Sequence, residues 1–555
     1  MKRILFFVHY NKYNSLSDYV VYLLQHIKHI YTRIVFVSNS PLSGEDISKL
    51  TEFYNDIIIR ENKSFDFGAW KDAIMKEGWD ELSKYDSITL MNDTCFGPLF
   101  DFEPYYINME KQNIDFWGLT NNGGHRKRVF RNSLPEHIQS YFYCFNRNVV
   151  KSKVFQSFWN KMKYYNNVGE IIKKYEIPLT RILSKNGFIY SVVFNTMPFI
   201  KNKDIVAFSY PDIIIQNNVP FLKIKSFIYY SRPKYTIDMI CERTEYPSEL
   251  VQNYITEMFG PNISLKICNK LVPVKTIDKK SNTSFSIGVH FHISNLDLFQ
   301  KYVNYFTDIK INYDLYITTN LSDKVNQIKL ILENNKIIPK EIITENKENG
   351  ILTWLNINDR LDKYDIVGHF HTDIDLTKND YFDLLLKPID EIIDIFNINN
   401  HIGIIVPQPY SFLYSYTSIY EENQTKEQLN ILWNKMNCKK NIDFNSLKMI
   451  ITCCGRMFWY RPKALEILFQ FYQNSDCLKK LEIDNSTIVR CIEQIIIYLL
   501  WDSSFDYRIM VHAPQRIDDF LTVFDLLNDI KMSKTYRIGQ FFLAIPKFII
   551  KNILR

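Results

Sequence analysis

The chain has 555 residues, 46% of them hydrophobic and 15% aromatic, enough to fill the cores of roughly two to four domains. This composition excludes a disordered chain and a disulfide-stapled miniprotein. The 67 Lys and Arg against 61 Asp and Glu leave a net charge of +6, too thinly spread to imply a nucleic-acid partner, and none is expected.

The opening run Ile4 to Val8 reads as a first buried strand. His9 and Tyr10 end it too early for the core of a signal peptide. No stretch reaches about 18 uninterrupted apolar residues, so no transmembrane helix is predicted. The nine cysteines include no zinc-spaced set, and their odd number argues against a full disulfide framework. A reducing, cytoplasmic location fits this usage.

An amphipathic helix and a second strand, IVFVSNS, follow the first strand, a βαβ opening. Next comes Arg60–Lys71, RENKSFDFGAWK, dense in polar groups for a strand-to-helix junction. Asn62, Asp66, Gly68 and Lys71 are candidates for holding a nucleotide, through carboxylate, close backbone and ammonium contacts. The equal alternative is a helix capped by Asp66 over a packing glycine.

The strand SITLMNDT ends in Asn92-Asp93-Thr94. Ligands of open α/β sheets bind beyond the carboxyl ends of the strands. A strand-end carboxylate there suits a divalent cation shared with a diphosphate, or else caps a turn. Trp117, His137, Gln139, Ser140 and Tyr141 form a polar and aromatic group further on, either a sugar-acceptor platform or, for the tryptophan, core. Glu176 lies in an otherwise apolar helical stretch, as a general base or as a surface residue. Residues 226–283 read as a helical connector ending in a polar linker.

From 284 the chain repeats its plan. His290 pairs with His9 and Asn320 with Asn39, both at an offset of 281, while Tyr364-Asp365 echoes Tyr85-Asp86 at 279. The segment GRMFWYRP carries Trp459, a second candidate acceptor contact, and Glu493 echoes Glu176 at an offset of 317. Ordered pairs with drifting offsets indicate a duplicated domain, with the extra residues of the second copy within 401–450. The second copy offers Asn346 in its nucleotide-loop segment, and Asp373 and Asp375 after its own strand. The two aspartates are cation ligands on one reading and a turn or helix cap on the other. The predicted plan is two tandem α/β domains, 1–225 and 284–530, joined by 226–283. Residues 531–555 form a basic amphipathic tail without an acidic residue, suited to an anionic membrane surface.

RENKSFDFGAWK, LMNDTCFGPL, DFWGLT, HIQSYF and KYEIPLT together closely resemble the rhamnan synthesis protein F family, and GHFHT and GRMFWYRPKAL resemble its second half. The wider resemblance is to glycosyltransferases of the GT-A fold. These run from a nucleotide loop, through a strand ending in Asp-x-Asp, to a late acidic base.

The resemblance implies tandem GT-A-like (Rossmann-like) domains that act as a hexosyltransferase. The donor would be a dTDP-rhamnose-like nucleotide sugar, and the acceptor a lipid-linked rhamnan, O-antigen or cell-wall type glycan at the cytoplasmic face of the inner membrane. By the same carry-over Glu176 and Glu493 are bases of an inverting displacement. Asp93, Asp373 and Asp375 hold a diphosphate or Mg²⁺ or Mn²⁺, with one carboxylate in Asn92-Asp93-Thr94 where Asp-x-Asp has two. The alternatives are a transferase of another nucleotide sugar and a glycan-binding assembly factor without catalysis.

Overall fold

The computed structural model describes residues 1–123, 134–200, 205–229, 232–274, 284–307, 309, 311–345, 349–373, 381–408, 423–447, 450–473 and 485–512. It divides into two compact units, Met1–Ile255 and Thr256–Arg555.

The strands of the first unit are β1 (Arg3–His9), β2 (Arg33–Ser38), β3 (Asp56–Ile59), β4 (Ser87–Asn92), β5 (Cys95–Phe96), β6 (Phe116–Asn122), β7 (His137–Ile138), β8 (Phe142–Asn146), β9 (Tyr190–Phe194) and β10 (Leu222–Lys223). One sheet runs β3-β2-β1-β4-β8-β6-β7, with β9 added beside β6. The β3, β2, β1 and β4 strands are mutually parallel, and β8 lies antiparallel between β4 and β6. Helices cover both faces of a parallel sheet, so its inner strands are near-continuous apolar runs. Ile4 to Phe7 are fully buried for this reason. A small ribbon pairs β5 with β10.

In the second unit β11 (Leu271–Pro273), β12 (Ile287–Ile293), β13 (Asp314–Thr319), β14 (Glu341–Thr344), β15 (Ile366–His371), β16 (Ile402–Pro407), β17 (Phe458–Tyr460) and β18 (Asp506–Val511) form one sheet in the order β11-β18-β16-β17-β15-β12-β13-β14. Read from β14, this is the strand order of the first unit. The strand after β15 is again antiparallel, and β18 lies parallel to β16 as β9 does to β6. The duplication read in the sequence is therefore a duplicated topology. The longer second copy takes its extra residues between β16 and β17, which span 408–457 against 123–141 between β6 and β8.

The registers correct one pairing. Ser38 of β2 and Thr319 of β13 each accept the bond that starts the next segment, from Arg60 and Glu345. Asn39 and Asn320 directly follow and are equivalent, as read. But Ser38 faces His9, whereas Thr319 faces Ile293. The β12 strand is thus shifted three residues from the sequence alignment, and His290 is not the counterpart of His9. The Asp86 and Asp365 pair stands: each carboxylate accepts the N–H that opens the first strand, from Lys2 at 2.7 Å and from Ser286 at 2.8 Å.

Residues 226–283, expected as a connector, are shared between the units. The helix Pro233–Arg243 belongs to the first, and β11 is an edge strand of the second. The intervening helix Ser248–Ile267 breaks at Gly260, just before Pro261, whose ring cannot follow a regular turn. The tail 531–555 lies outside the described residues. Among the described residues no helix is long and apolar enough to cross a membrane.

Candidate active sites

The strand order reverses at β1|β4 in the first sheet and at β12|β15 in the second. Such switch points are where open α/β sheets hold ligands. In the first unit the Tyr10 N–H donates to Asp93 Oδ2 across this point at 2.8 Å, and the Tyr19 hydroxyl donates to the Asp93 carbonyl at 2.5 Å. The side chain of Asn92 donates to Asp66 Oδ2 at 2.6 Å and accepts from the Thr94 hydroxyl at 2.6 Å. Asp66 is therefore not the helix cap. It belongs to the strand-end cluster, and the helix Phe65–Glu77 begins without a side-chain cap.

That helix start is strained. Ser64 and Phe65 both take left-handed backbone angles, each costing of order 1–3 kcal/mol. The Tyr165 N–H donates to Ser64 Oγ at 2.5 Å and holds the turn. A Cβ at Gly68 would sit 2.0 Å from the Lys63 carbonyl oxygen, so only glycine fits.

Glu176 comes to the same cluster from the far end of the sequence. It closes a π-helical turn, Ile172–Glu176, two residues before Pro178, whose missing N–H frees a carbonyl of the preceding turn. Single π turns recur at functional sites. The Ser140 N–H donates to Glu176 Oε1 at 3.2 Å.

Burial pushes the Asp66 carboxyl up to about 6, the Glu176 charge adds to this, and Asn92, Lys223 and Lys225 oppose it. Burial pushes Asp93 up to about 8, with the charge of Asp66 adding and the Tyr10 N–H opposing. Three carboxyl groups thus share one region and are partly offset by two lysines. Lys223 lies over the Tyr141 ring, 4.7 Å from its centroid. The sequence reading missed both lysines, because β10 reaches the site only by pairing with β5.

Other candidates fall elsewhere. Lys71 is directed to the Met162 carbonyl at 2.5 Å and over the Tyr164 ring, away from the carboxylates. Asn62 has a buried Oδ1 without a hydrogen-bond partner. His137 bonds the Pro135 carbonyl at 2.8 Å, and Thr120 ties Gln139 to the Tyr141 hydroxyl, each at 2.7 Å. Trp117 is corrected to a core residue. It is 4% exposed and packed on Tyr106 and Phe142, so it offers no face to a sugar. Trp459 is corrected likewise, fully buried with its indole N–H on the Leu385 carbonyl at 2.8 Å.

The second unit builds its switch point differently. The Ser294 N–H donates to Thr372 Oγ1 at 2.9 Å, the bond that Asp93 accepts in the first unit. The Asp373 N–H bonds His371 Nδ1 at 3.1 Å, as the Thr94 N–H bonds Asn92. Asp93 therefore corresponds to Thr372, and Asp373 to Thr94, not to Asp93. The Asp373 carboxylate accepts the Gly350 N–H at 2.7 Å and the Ser294 hydroxyl at 3.0 Å. Asn346 and Asp375 lie outside the described residues.

Burial pushes Glu493 up to about 7, against Arg456 and Arg490. Arg456 is held in a left-handed turn after Gly455, whose Cβ position is filled by the Tyr381 ring. The Gly455 carbonyl bonds His371 Nε2 at 2.9 Å. Arg456 was not singled out from the sequence, although it lies within GRMFWYRP.

A divalent cation needs several open hard-oxygen donors converging on one point. Among the described residues no three His, Cys, Asp or Glu side chains do so. Asp66 and Asp93 each have an oxygen already engaged and are held toward the protonated form. The described residues alone do not fit a cation.

Four buried histidines, His290, His292, His369 and His371, stand side by side on β12 and β15. His290 and His369 are joined Nδ1 to Nδ1 at 2.9 Å, and Thr318 bridges His290 and His292. Burial holds all four below the usual histidine range, His371 at about 4. The folded state keeps them neutral, while the unfolded chain protonates near pH 6.5. Their stabilisation is complete above about 6.5 and is lost as pH falls toward 4, each adding up to ~1.4 kcal/mol per pH unit. Glu493, raised, opposes with one proton. The urea midpoint of the second unit should fall steeply between about pH 6.5 and 4. A midpoint that is flat or rises on acidification contradicts this reading.

A model of the family described as rhamnan synthesis protein F matches residues 34–505. An uncharacterized protein, y4gN, of Sinorhizobium fredii is 28% identical over 173 residues, which cover 31% of this chain and 43% of that protein. The match thus spans less than half the length of this curated relative. Among solved structures, the glycosyltransferase GlyE in Streptococcus pneumoniae is 11% identical over 63% of this chain and 82% of its own, at a TM-score of 0.25. The mannosyltransferase PcManGT from Pyrobaculum calidifontis, in complex with GDP-Man and Mn²⁺, is 10% identical over 50% of this chain and 88% of its own, at 0.23.

Proposed function

The chain belongs to the rhamnan synthesis protein F family, and from that premise we propose that it is a glycosyltransferase of polysaccharide synthesis with its reaction centre at the β1|β4 switch point. One observation carries this reading. Asp66 and Asp93, far apart in sequence, meet at one switch point through Asn92 and the Tyr10 N–H, and the charges of Glu176, Lys223 and Lys225 act on the Asp66 carboxyl.

Glu176 takes the proton of the acceptor hydroxyl as that oxygen attacks the anomeric carbon of the donor. The bond from that carbon to the diphosphate breaks, and the leaving diphosphate carries the negative charge. Lys223 and Lys225 offset it. The Ser140 N–H steers the Glu176 carboxylate. The donor is a dTDP-rhamnose-like nucleotide sugar, and the acceptor a lipid-linked glycan met at the inner membrane surface through 531–555.

Nucleoside-diphosphate release from a panel of nucleotide sugars, with bacterial membranes as acceptor and with or without Mg²⁺ or Mn²⁺, tests this. Membrane-stimulated release from one donor is expected, with Lys223→Met raising the donor KM about tenfold or more. No release from any donor by the folded chain overturns the reading in favour of a non-catalytic glycan-binding role. Loss of residues 531–555 should lower recovery in the membrane fraction, and unchanged recovery removes the membrane claim.

The second unit has Thr372 for Asp93 and His371 for Asn92. These changes support a site of different specificity, one that forms a second linkage or grips the product. Glu493→Gln leaving every linkage intact would assign it the gripping role.

A further inference from the structure

A cavity of about 830 Å³ opens in the first unit beside the helix Asp18–Ile27. It is lined by Tyr22, His26, Asp101, Glu242, Glu245 and Tyr246, among others. None of these belongs to the switch-point cluster.

Its wall is aromatic. His26 stacks on Tyr22 with ring centroids 3.9 Å apart, and Tyr246 meets Tyr22 edge-on at 5.0 Å. Tyr246 is buried, with its hydroxyl turned to the Gly97 backbone, so it contributes its ring edge to the wall. Its rim is polar: Asp101, Glu242, Glu245 and His26 are exposed.

The two sites are physically linked. Tyr19, on the same helix, bonds the Asp93 carbonyl. Tyr22 and His26 follow one and two turns later, about 5–10 Å along the axis. The segment after Asp93 runs through β5 directly into Pro98 and Asp101 of the lining.

Sugar rings present an apolar face that packs on aromatic rings and a rim of hydroxyls that donate to carboxylates. A purely cationic ligand would meet Arg243 on the same lining, and an apolar one would not suit three carboxylates. A groove one step from the reaction centre that combines both suits the distal sugars of a chain whose end is being extended. We propose that this groove is an accessory glycan subsite that holds the acceptor polysaccharide several sugars back from its reacting end. The proposal rests on the reading of the chain as a transferase of polysaccharide synthesis.

The test uses the full chain and three probes: a short polyrhamnose oligosaccharide, rhamnose itself, and polylysine. Calorimetry should show the oligosaccharide binding at least about tenfold tighter than rhamnose. Tyr22→Ala and the surface double variant Glu242→Gln/Glu245→Gln should each lower that affinity about tenfold. In transfer assays the ratio of rates on long and short acceptors should fall by the same factor in both variants.

Oligosaccharide affinity unchanged in both variants overturns the subsite, as does polylysine binding in the absence of any oligosaccharide binding. Absence of transfer by the wild type on any acceptor overturns the transferase reading instead. Loss of binding in the variants would then still support the groove.

Discussion

Replacing Glu176 by Gln should lower turnover by ~10²–10⁴-fold while leaving the thermal midpoint and the donor KM close to those of the wild type. Glutamine keeps the volume and can still accept the Ser140 N–H through its amide oxygen. It cannot take a proton from the acceptor at neutral pH. The side chain is not needed to hold the turn, because the π-helical geometry is set by the backbone and Pro178. The change therefore separates chemistry from folding. Single-turnover release of nucleoside diphosphate at saturating donor would measure it. A rate within about threefold of wild type would remove Glu176 from the reaction and leave Asp66, the neighbouring carboxyl, as the base to examine.

The largest expected effect on stability lies at a buried ion pair that ties β11 to β18. Lys270 is 1% exposed and donates to both oxygens of Asp506, at 2.7 and 2.6 Å, and to the Thr256 hydroxyl at 2.8 Å. Arg508 Nη1 adds a bond to Asp506 at 2.6 Å. The charges of Lys270 and Arg508 hold the Asp506 carboxyl below its ordinary range despite its burial. Removing the carboxylate with Asp506→Asn strands an ammonium group in a site closed to water, which costs about 3–5 kcal/mol.

A Lys270→Met/Asp506→Leu double variant removes both charges of the buried pair, leaves only the partly exposed Arg508 without its partner, and should be less destabilised than Asp506→Asn. Urea unfolding followed by probes in the second unit measures the difference. A loss below about 1 kcal/mol for Asp506→Asn would show that water reaches the pair.

The same pair shows why the connector was misplaced from sequence. Residues 226–283 look alike in pattern, helical and then polar. Lys270 falls in this stretch, yet its partner is 236 positions away. A charge in a polar stretch looks solvated until the tertiary structure supplies its counter-ion. Lys223 and Lys225 were overlooked for the same reason. Trp117 and Trp459 erred in the opposite direction, since an aromatic near polar motifs looks like a platform until its neighbours cover it.

What the sequence by itself determined is the α/β class, the duplication, the strand-end position of Asn92 and Asp93, and the presence of a late glutamate in each half. These follow from apolar runs, turn residues and order along the chain, which are local properties. What only the tertiary structure decided is which residues meet. It decided between the two readings of Asp66, placing it in the carboxylate cluster and not at a helix cap, and brought Glu176 to the Ser140 N–H. It also showed that Thr372 accepts in the second unit the bond that Asp93 accepts in the first. The three-residue shift of β12 against β1 likewise came from pairing across the sheet, because partners on neighbouring strands, and not a local apolar run, set the register.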